Sequence, residues 1–229
     1  MKVFLGIPCH AGGVYEGTAR STFVTSEVPG RVACMFHPTS LLPRGFNKLY
    51  ATALNGDFTH FAMLHADIEV LIPYWIDRMI ELMDKTKADV LSVVSPIKNM
   101  KGLTSTAVDI NPHTGEWDKW RVKRLTMKEV FDRPPTWTED GLLINTGCML
   151  VNLQSDIADK FYFEFIDQII FDENGNRKAV GVSEDWQFSR LVHSMGGKIF
   201  ATREIPLAHI GPASFGNQMI WGTETEDTE

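Results

Sequence analysis

The sequence predicts an α/β fold: one domain with a mostly parallel central sheet flanked by helices. Three observations carry that expectation. Apolar runs of strand length alternate with stretches of helical spacing along most of the 229 residues, which is the pattern of βαβ units. Several of these runs stop at proline or at clusters of small residues, as strands do on entering loops. The apolar fraction of 44% beside a charged fraction of 22% is that of an ordinary globular protein with a substantial core. The domain is expected to span residues 1–221, with an acidic, disordered tail at 222–229.

Charge and cysteine usage exclude several classes. The formal net charge of -7 argues against a surface built to hold nucleic acid without regard to sequence. No apolar run has the length of a membrane span and no basic leader precedes an apolar stretch, so the chain reads as cytoplasmic. Cys9, Cys34 and Cys148 are far apart in apolar surroundings and read as reduced, buried thiols.

Taken in order, Lys2–Pro8 is an apolar strand stopped by Pro8. The loop Cys9-His10-Ala11-Gly12-Gly13 is small enough for a ligand to approach its backbone, yet it is neither a Walker loop nor a GxGxxG turn. Tyr15–Ser26 reads as a helix and Arg31–His37 as a strand ended by Pro38. Leu41–Leu54 has helical spacing with Pro43 in its first turn. Arg44 and Asn47 share one face of that turn, suited to a phosphate or a base or simply to solvent.

Phe58–Val70 is the stretch around which the rest is organised. Phe61–Leu64 reads as a buried parallel strand, which puts Asp67 at or just past its carboxyl end, the edge where ligands bind in open α/β sheets. A lone aspartate there is more often a solvated turn residue. Pro73–Lys85 follows as an amphipathic helix burying Trp75, Ile76, Met79, Ile80 and Met83, and Ala88–Ser95 as the next strand. A hairpin or excursion is expected around residues 100–140, turning at Asn111–Gly115, with Trp117, Trp120 and Trp137 as acceptor platforms or as pins to the core.

Leu142–Asn152 returns as a core strand in which Gly147 marks a bulge or a close backbone approach. Asp156–Phe171 reads as a phenylalanine-rich helix before the turn Asp172–Asn176. Ser183 is expected to cap the next helix, with Glu184 and Asp185 in its first turn as dipole-matching acids or as a general base at a helix mouth. Two strands end the domain, and the second, Ile205–Gly211, carries His209. A histidine in that setting is more often structural than a ligand.

Four pieces of this chain together resemble the GT-A-type, family-2-like glycosyltransferases that use nucleotide sugars: Ile7-Pro8 closing the first strand, Arg44-x-x-Asn47, the stretch Thr59–Ile68, and Ser183–Phe188 leading to His209-Ile210-Gly211. The resemblance runs from Lys2 to about Phe215 and implies a Rossmann-like GT-A domain. It also implies that Asp67 binds a divalent metal bridging the donor diphosphate, although His65-Ala66-Asp67 stands where an Asp-x-Asp is usual. By the same resemblance His209 completes the metal site and Glu69 assists if the strand ends early. Pro8, His10, Arg44, Asn47, His65 and Ala66 then hold the nucleotide sugar with Asp67. Asp185, or else Glu184, is the base.

Carboxylate plus imidazole ligation suits manganese better than magnesium. The implied donor is a UDP- or GDP-sugar, and a glycan, lipid-linked, small-molecule or modified nucleic-acid acceptor stays open. A catalytically weak or inactive sugar-nucleotide binding domain is the alternative, because His65 replaces an acid. A sugar-1-phosphate nucleotidyltransferase comes third, because Cys9–Gly13 has neither a Gly-x-Gly-x-Arg loop nor a lysine.

Overall fold

Side chains along the first strand alternate between two cores, and that alternation sets the layers of the molecule. In the computed structural model, residues 1–10, 13–112, 121–172 and 174–222 are described. In chain order the elements are β1 (Val3–Cys9), α1 (Glu16–Ser21), β2 (Val32–Pro38), α2 (Leu42–Asn55), β3 (His60–Leu64), β4 (Ile68–Val70), α3 (Trp75–Thr86), β5 (Val90–Val93), β6 (Leu103–Asp109) and β7 (Val122–Thr126). They continue with α4 (Met127–Phe131), β8 (Thr136–Trp137), β9 (Leu142–Leu143), β10 (Cys148–Asn152), β11 (Ile166–Phe171), β12 (Arg177–Val182), α5 (Glu184–Ser194), β13 (Ile199–Thr202), β14 (Leu207–Ile210) and β15 (Ser214–Gly216).

Val3, Leu5 and Ile7 of β1 face one side of the sheet with Leu64, Leu91 and Val93, where α3 covers them through Trp75, Ile76 and Met79. Phe4, Phe61, Met63 and Val90 face the other side, against Phe46, Leu49 and Tyr50 of α2 and Phe188 and Val192 of α5. Both faces are therefore buried, which is why the strands read as continuous apolar runs. No described helix is long and apolar enough to cross a membrane.

Among the described residues the main sheet has seven strands in the order β2-β1-β3-β10-β5-β13-β8. β1 is parallel to β2 and β3, and β13 to β5. β10 runs antiparallel to both β3 and β5, and β8 antiparallel to β13. The sheet is thus partly antiparallel, which corrects the expectation of a mostly parallel one. The cause is the excursion after β5. It carries the small antiparallel sheet β7-β6-β9, the short helix α4 and the edge strand β8. The chain re-enters as β10 from the edge at which β5 left, so its direction reverses.

Other expectations are corrected in detail. Pro8 lies inside β1, because beyond Gly6 this strand is paired with β2 alone and one side has no ladder to break. The first helix stops at Ser21, well short of Ser26. The Thr22 hydroxyl donates back to the Ala19 carbonyl at 2.7 Å, and the β-branched Val24 and Thr25 follow. The run Leu142–Asn152 is broken between β9 and β10, because buried Asn145 donates to the Val93 carbonyl at 2.9 Å and accepts from the Gly147 amide at 3.1 Å.

Asp156–Phe171 is not a helix. It forms a short 3₁₀ turn, an extended segment and the hairpin β11–β12, as its Phe and Ile content favours. Ser183 does precede α5, but its side chain makes no capping bond. Cys34 is exposed on β2, unlike buried Cys9 and Cys148. Trp137 is buried, so it packs and is no platform. The centre of the 111–115 turn, Trp117, Trp120 and residues 223–229 lie outside the described residues.

Candidate functional site

Chain connections leave β1 for β2 on one side while β3 lies on the other, so the carboxyl ends of β1 and β3 meet at a switch point. A cleft of about 460 Å³ opens there, within the range of small-molecule sites. Pro8, His10, His65, Ala66 and Asp67, all expected from sequence, line it together with Val14, Tyr15 and Leu42.

Asp67 and His209, remote in sequence, are brought together by a ladder. β14 pairs antiparallel with β4 so that His209 stands opposite Ile68, and the Ile210 amide donates to the Asp67 carbonyl at 2.7 Å. The result is His209 Nε2 at 3.4 Å from Asp67 Oδ2. His209 Nδ1 lies 2.8 Å from the Pro96 carbonyl. A carbonyl only accepts, so Nδ1 carries the proton and Nε2 is aimed at the carboxylate.

A third group completes the cluster. Lys98 Nζ donates to the same Asp67 oxygen at 2.5 Å. Burial works to raise the Asp67 carboxyl, but His209 and Lys98 outweigh it and hold the group below the usual carboxylate range.

From His65 a hydrogen-bonded path leads inward. His65 is pushed down to about 4, first by burial and then by the nearby His209 and Lys98, with Asp67 opposing, so its ring is neutral near neutrality. The ring Nε2 lies 3.2 Å from Thr146 Oγ1, and that hydroxyl donates to Asp185 Oδ1 at 2.5 Å. Thr146 has a single hydroxyl proton, so it accepts from Nε2–H and the lone pair is left on His65 Nδ1. The Thr146 amide also donates to Asp185 Oδ1 at 3.2 Å. Burial, and then the Glu184 carboxylate, push Asp185 up to about 7, against the two Thr146 bonds and Arg124. Burial likewise raises Glu184. Gly147 makes this approach possible: a Cβ there would meet Ile68 Cδ1 at 2.6 Å, while its carbonyl accepts from the His65 amide at 2.8 Å.

Arg44, Asn47 and Glu69, expected at the site, do not line the cleft. The Asn47 amide donates to the Phe163 carbonyl at 2.7 Å and its oxygen accepts from the Phe163 amide at 2.8 Å, so it clamps the extended segment before β11 and does not line the cleft. Arg44 is exposed at the start of α2 and likewise does not line it. Glu69 turns away to pair with Arg20 at 2.8 Å, so it does not assist Asp67. Asn47→Ala is expected to lower stability by about 1–3 kcal/mol in urea denaturation, with nucleotide affinity of the folded variant unchanged.

Lys98 and Thr146 were not singled out from the sequence. Lys98 follows β5, whose carboxyl end lies at the same edge as that of β3, so the rule that pointed to Asp67 applies to it equally. Thr146 had no signal, because the break in the Leu142–Asn152 run that sets its buried hydroxyl between His65 and Asp185 depends on long-range bonds of Asn145.

No family model and no curated protein matches the chain. Among solved structures it is similar to A197 from STIV, with 12% identity and a TM-score of 0.55 over 100% of this chain and 98% of that one. It is also similar to a CMP:2-keto-3-deoxy-manno-octonic acid synthetase complexed with CTP, with 10% identity and a TM-score of 0.40 over 88% and 89% of the two chains. At 12% identity the likeness to A197 is one of fold alone.

Proposed function

We propose that the cleft binds a nucleoside-diphosphate sugar and that the protein is a transferase moving the sugar to an acceptor hydroxyl. The observation that carries this reading is the meeting of His209 and Lys98 on Asp67, which lines the cleft, together with a hydrogen-bonded path that runs from His65, also in the lining, through Thr146 to Asp185. In the transfer, the acceptor oxygen bonds to the anomeric carbon. The bond from that carbon to the phosphate oxygen breaks, and its electron pair leaves with the nucleoside diphosphate. The hydroxyl proton passes to His65 and on through Thr146 to Asp185, a base poised near neutrality. The developing charge on the diphosphate has to be met by fixed positive groups beside Asp67.

The resemblance implies a divalent metal at Asp67. Asp67 and His209 are two suitable donors. The second motif position is His65, which is committed to Thr146, and the Asp67 carboxylate already faces an ammonium. Among the described residues no third His, Cys, Asp or Glu joins them. This donor set does not fit a cation held by the protein alone, and no step above is routed through one.

Nucleotidyl transfer is a second reading. It is favoured by the cleft wall itself, where Asp67 is the carboxylate among the described lining residues and is paired with Lys98. A panel of UDP-, GDP- and CMP-sugars in thermal unfolding, followed by product analysis, separates the readings. A sugar nucleotide is expected to raise the melting temperature by mass action and to release a nucleoside diphosphate when an acceptor is supplied. Release of pyrophosphate from a nucleoside triphosphate marks nucleotidyl transfer. Binding with neither product across a broad acceptor panel marks a binding domain without catalysis.

A further inference from the structure

We infer that Lys98 supplies the cation of this site, its ammonium neutralising the donor diphosphate where a divalent metal is the expectation. The inference rests on the reading of the cleft as a nucleotide-sugar site.

Lys98 is held in place by the fold. Its ammonium lies 2.5 Å from Asp67 Oδ2. Its aliphatic stem runs over Gly211, where an added Cβ would meet Lys98 Cδ at 2.9 Å and Cβ and Cγ at 3.4 Å. The missing side chain of Gly211, just past β14, is therefore the slot that receives the lysine. The same short segment provides the Pro96 carbonyl that fixes the ring of His209. One stretch of chain thus sets both the imidazole and the ammonium beside the carboxylate.

The charges then decide between the two kinds of cation. Asp67 is the one carboxylate of the cluster, and its charge is matched by Lys98. The partner position in the motif holds the His65 imidazole, which is engaged by the Thr146 hydroxyl at 3.2 Å and brings no second carboxylate. A divalent ion between Asp67 and His209 would sit against an ammonium, like charge beside like charge, with no second carboxylate to offset it. The ammonium has three N–H donors. Asp67 accepts from it, and the rest of its donors remain for phosphate oxygens, as charge-assisted bonds to an anion require. The Lys98 side chain is 36% exposed, so the head group is accessible from solvent.

Calorimetric titration of the intact protein with inorganic pyrophosphate and with UDP and GDP, in chelator and then in excess manganese, tests this. Wild type is expected to bind in chelator, with a Kd that manganese changes by less than about threefold. Lys98→Met is expected to weaken binding at least about tenfold, and Lys98→Arg to retain most of it. Gly211→Ala, which displaces the stem without removing the charge, is expected to weaken it in the same direction and stands in if Lys98→Met fails to fold. Binding seen only with manganese, or undiminished in Lys98→Met, overturns the inference while leaving the nucleotide site intact. Absence of binding by folded wild type in both conditions overturns the site reading and the inference with it.

Discussion

Asp185→Asn is expected to slow sugar transfer by about a hundred- to ten-thousand-fold, the contribution typical of a positioned general base. Donor affinity should change by no more than about twofold, because the residue acts on the acceptor proton and not on the diphosphate. The amide still accepts from the Thr146 hydroxyl and amide, so the bonds at 2.5 and 3.2 Å survive in kind and the loss is of proton affinity. Wild-type turnover should rise with pH through about 7, where Asp185 gives up its proton, and the variant should lack that limb.

The same carboxyl has a stability signature of defined sign. Its native pKa is raised above the unfolded value of 3.8, so between about pH 4 and pH 7 the native state holds more protons than the unfolded chain. The stabilisation is complete below the unfolded value and is lost as pH rises through the native one. Urea denaturation across that window should show stability falling with pH in wild type and a flatter profile in Asp185→Asn. A parallel fall in both, or full turnover in the variant, removes Asp185 from the proposed role.

Trp75→Ala is expected to be the most destabilising single change, by about 3–5 kcal/mol, as for other large buried aromatics cut back to alanine. Trp75 has 0% exposure, and its indole N–H donates to the Ser21 carbonyl at 2.9 Å. The Ser21 hydroxyl accepts from the Val70 amide at 2.8 Å. This chain of contacts ties α3 and the end of α1 to β4, the strand whose pairing with β14 sets Asp67 beside His209. Trp75→Phe keeps most of the packing and loses the hydrogen bond, so it should cost only about 1 kcal/mol from that source. Urea midpoints of the two variants check the difference. Equal losses would mean that packing around the ring is not what holds this corner.

What was legible in the sequence followed from periodicity. Val3–Pro8 and Phe61–Leu64 are buried on both faces and the stripe Trp75–Met83 on one, so local spacing was enough to place them, and Asp67 with them. Asp67 falls just past β3, and five of the residues expected at that edge line the cleft.

What was not legible depended on partners far along the chain. The direction of β10 is decided by the path of the excursion before it, which no local pattern records. The Phe-rich stretch after Asp156 carries apolar residues at spacings that fit a helix or a strand, and its pairing with β12 decided for the strand. Asn47 looked available because its spacing from Arg44 is helical, but its amide is taken by Phe163. Lys98 lies in the loop at residues 96–101, where no local motif marks it. Its meaning comes from Asp67, and that contact exists only in three dimensions.

The most direct measurement is a crystal structure of the protein with whichever sugar nucleotide stabilises it most. The expected result is a diphosphate in the cleft at the carboxyl ends of β1 and β3, with an oxygen about 3 Å from Lys98 Nζ and the sugar facing His65. A nucleotide seated elsewhere on the molecule, or a diphosphate turned away from Lys98, Asp67 and His209 together, contradicts the assignment of this cleft.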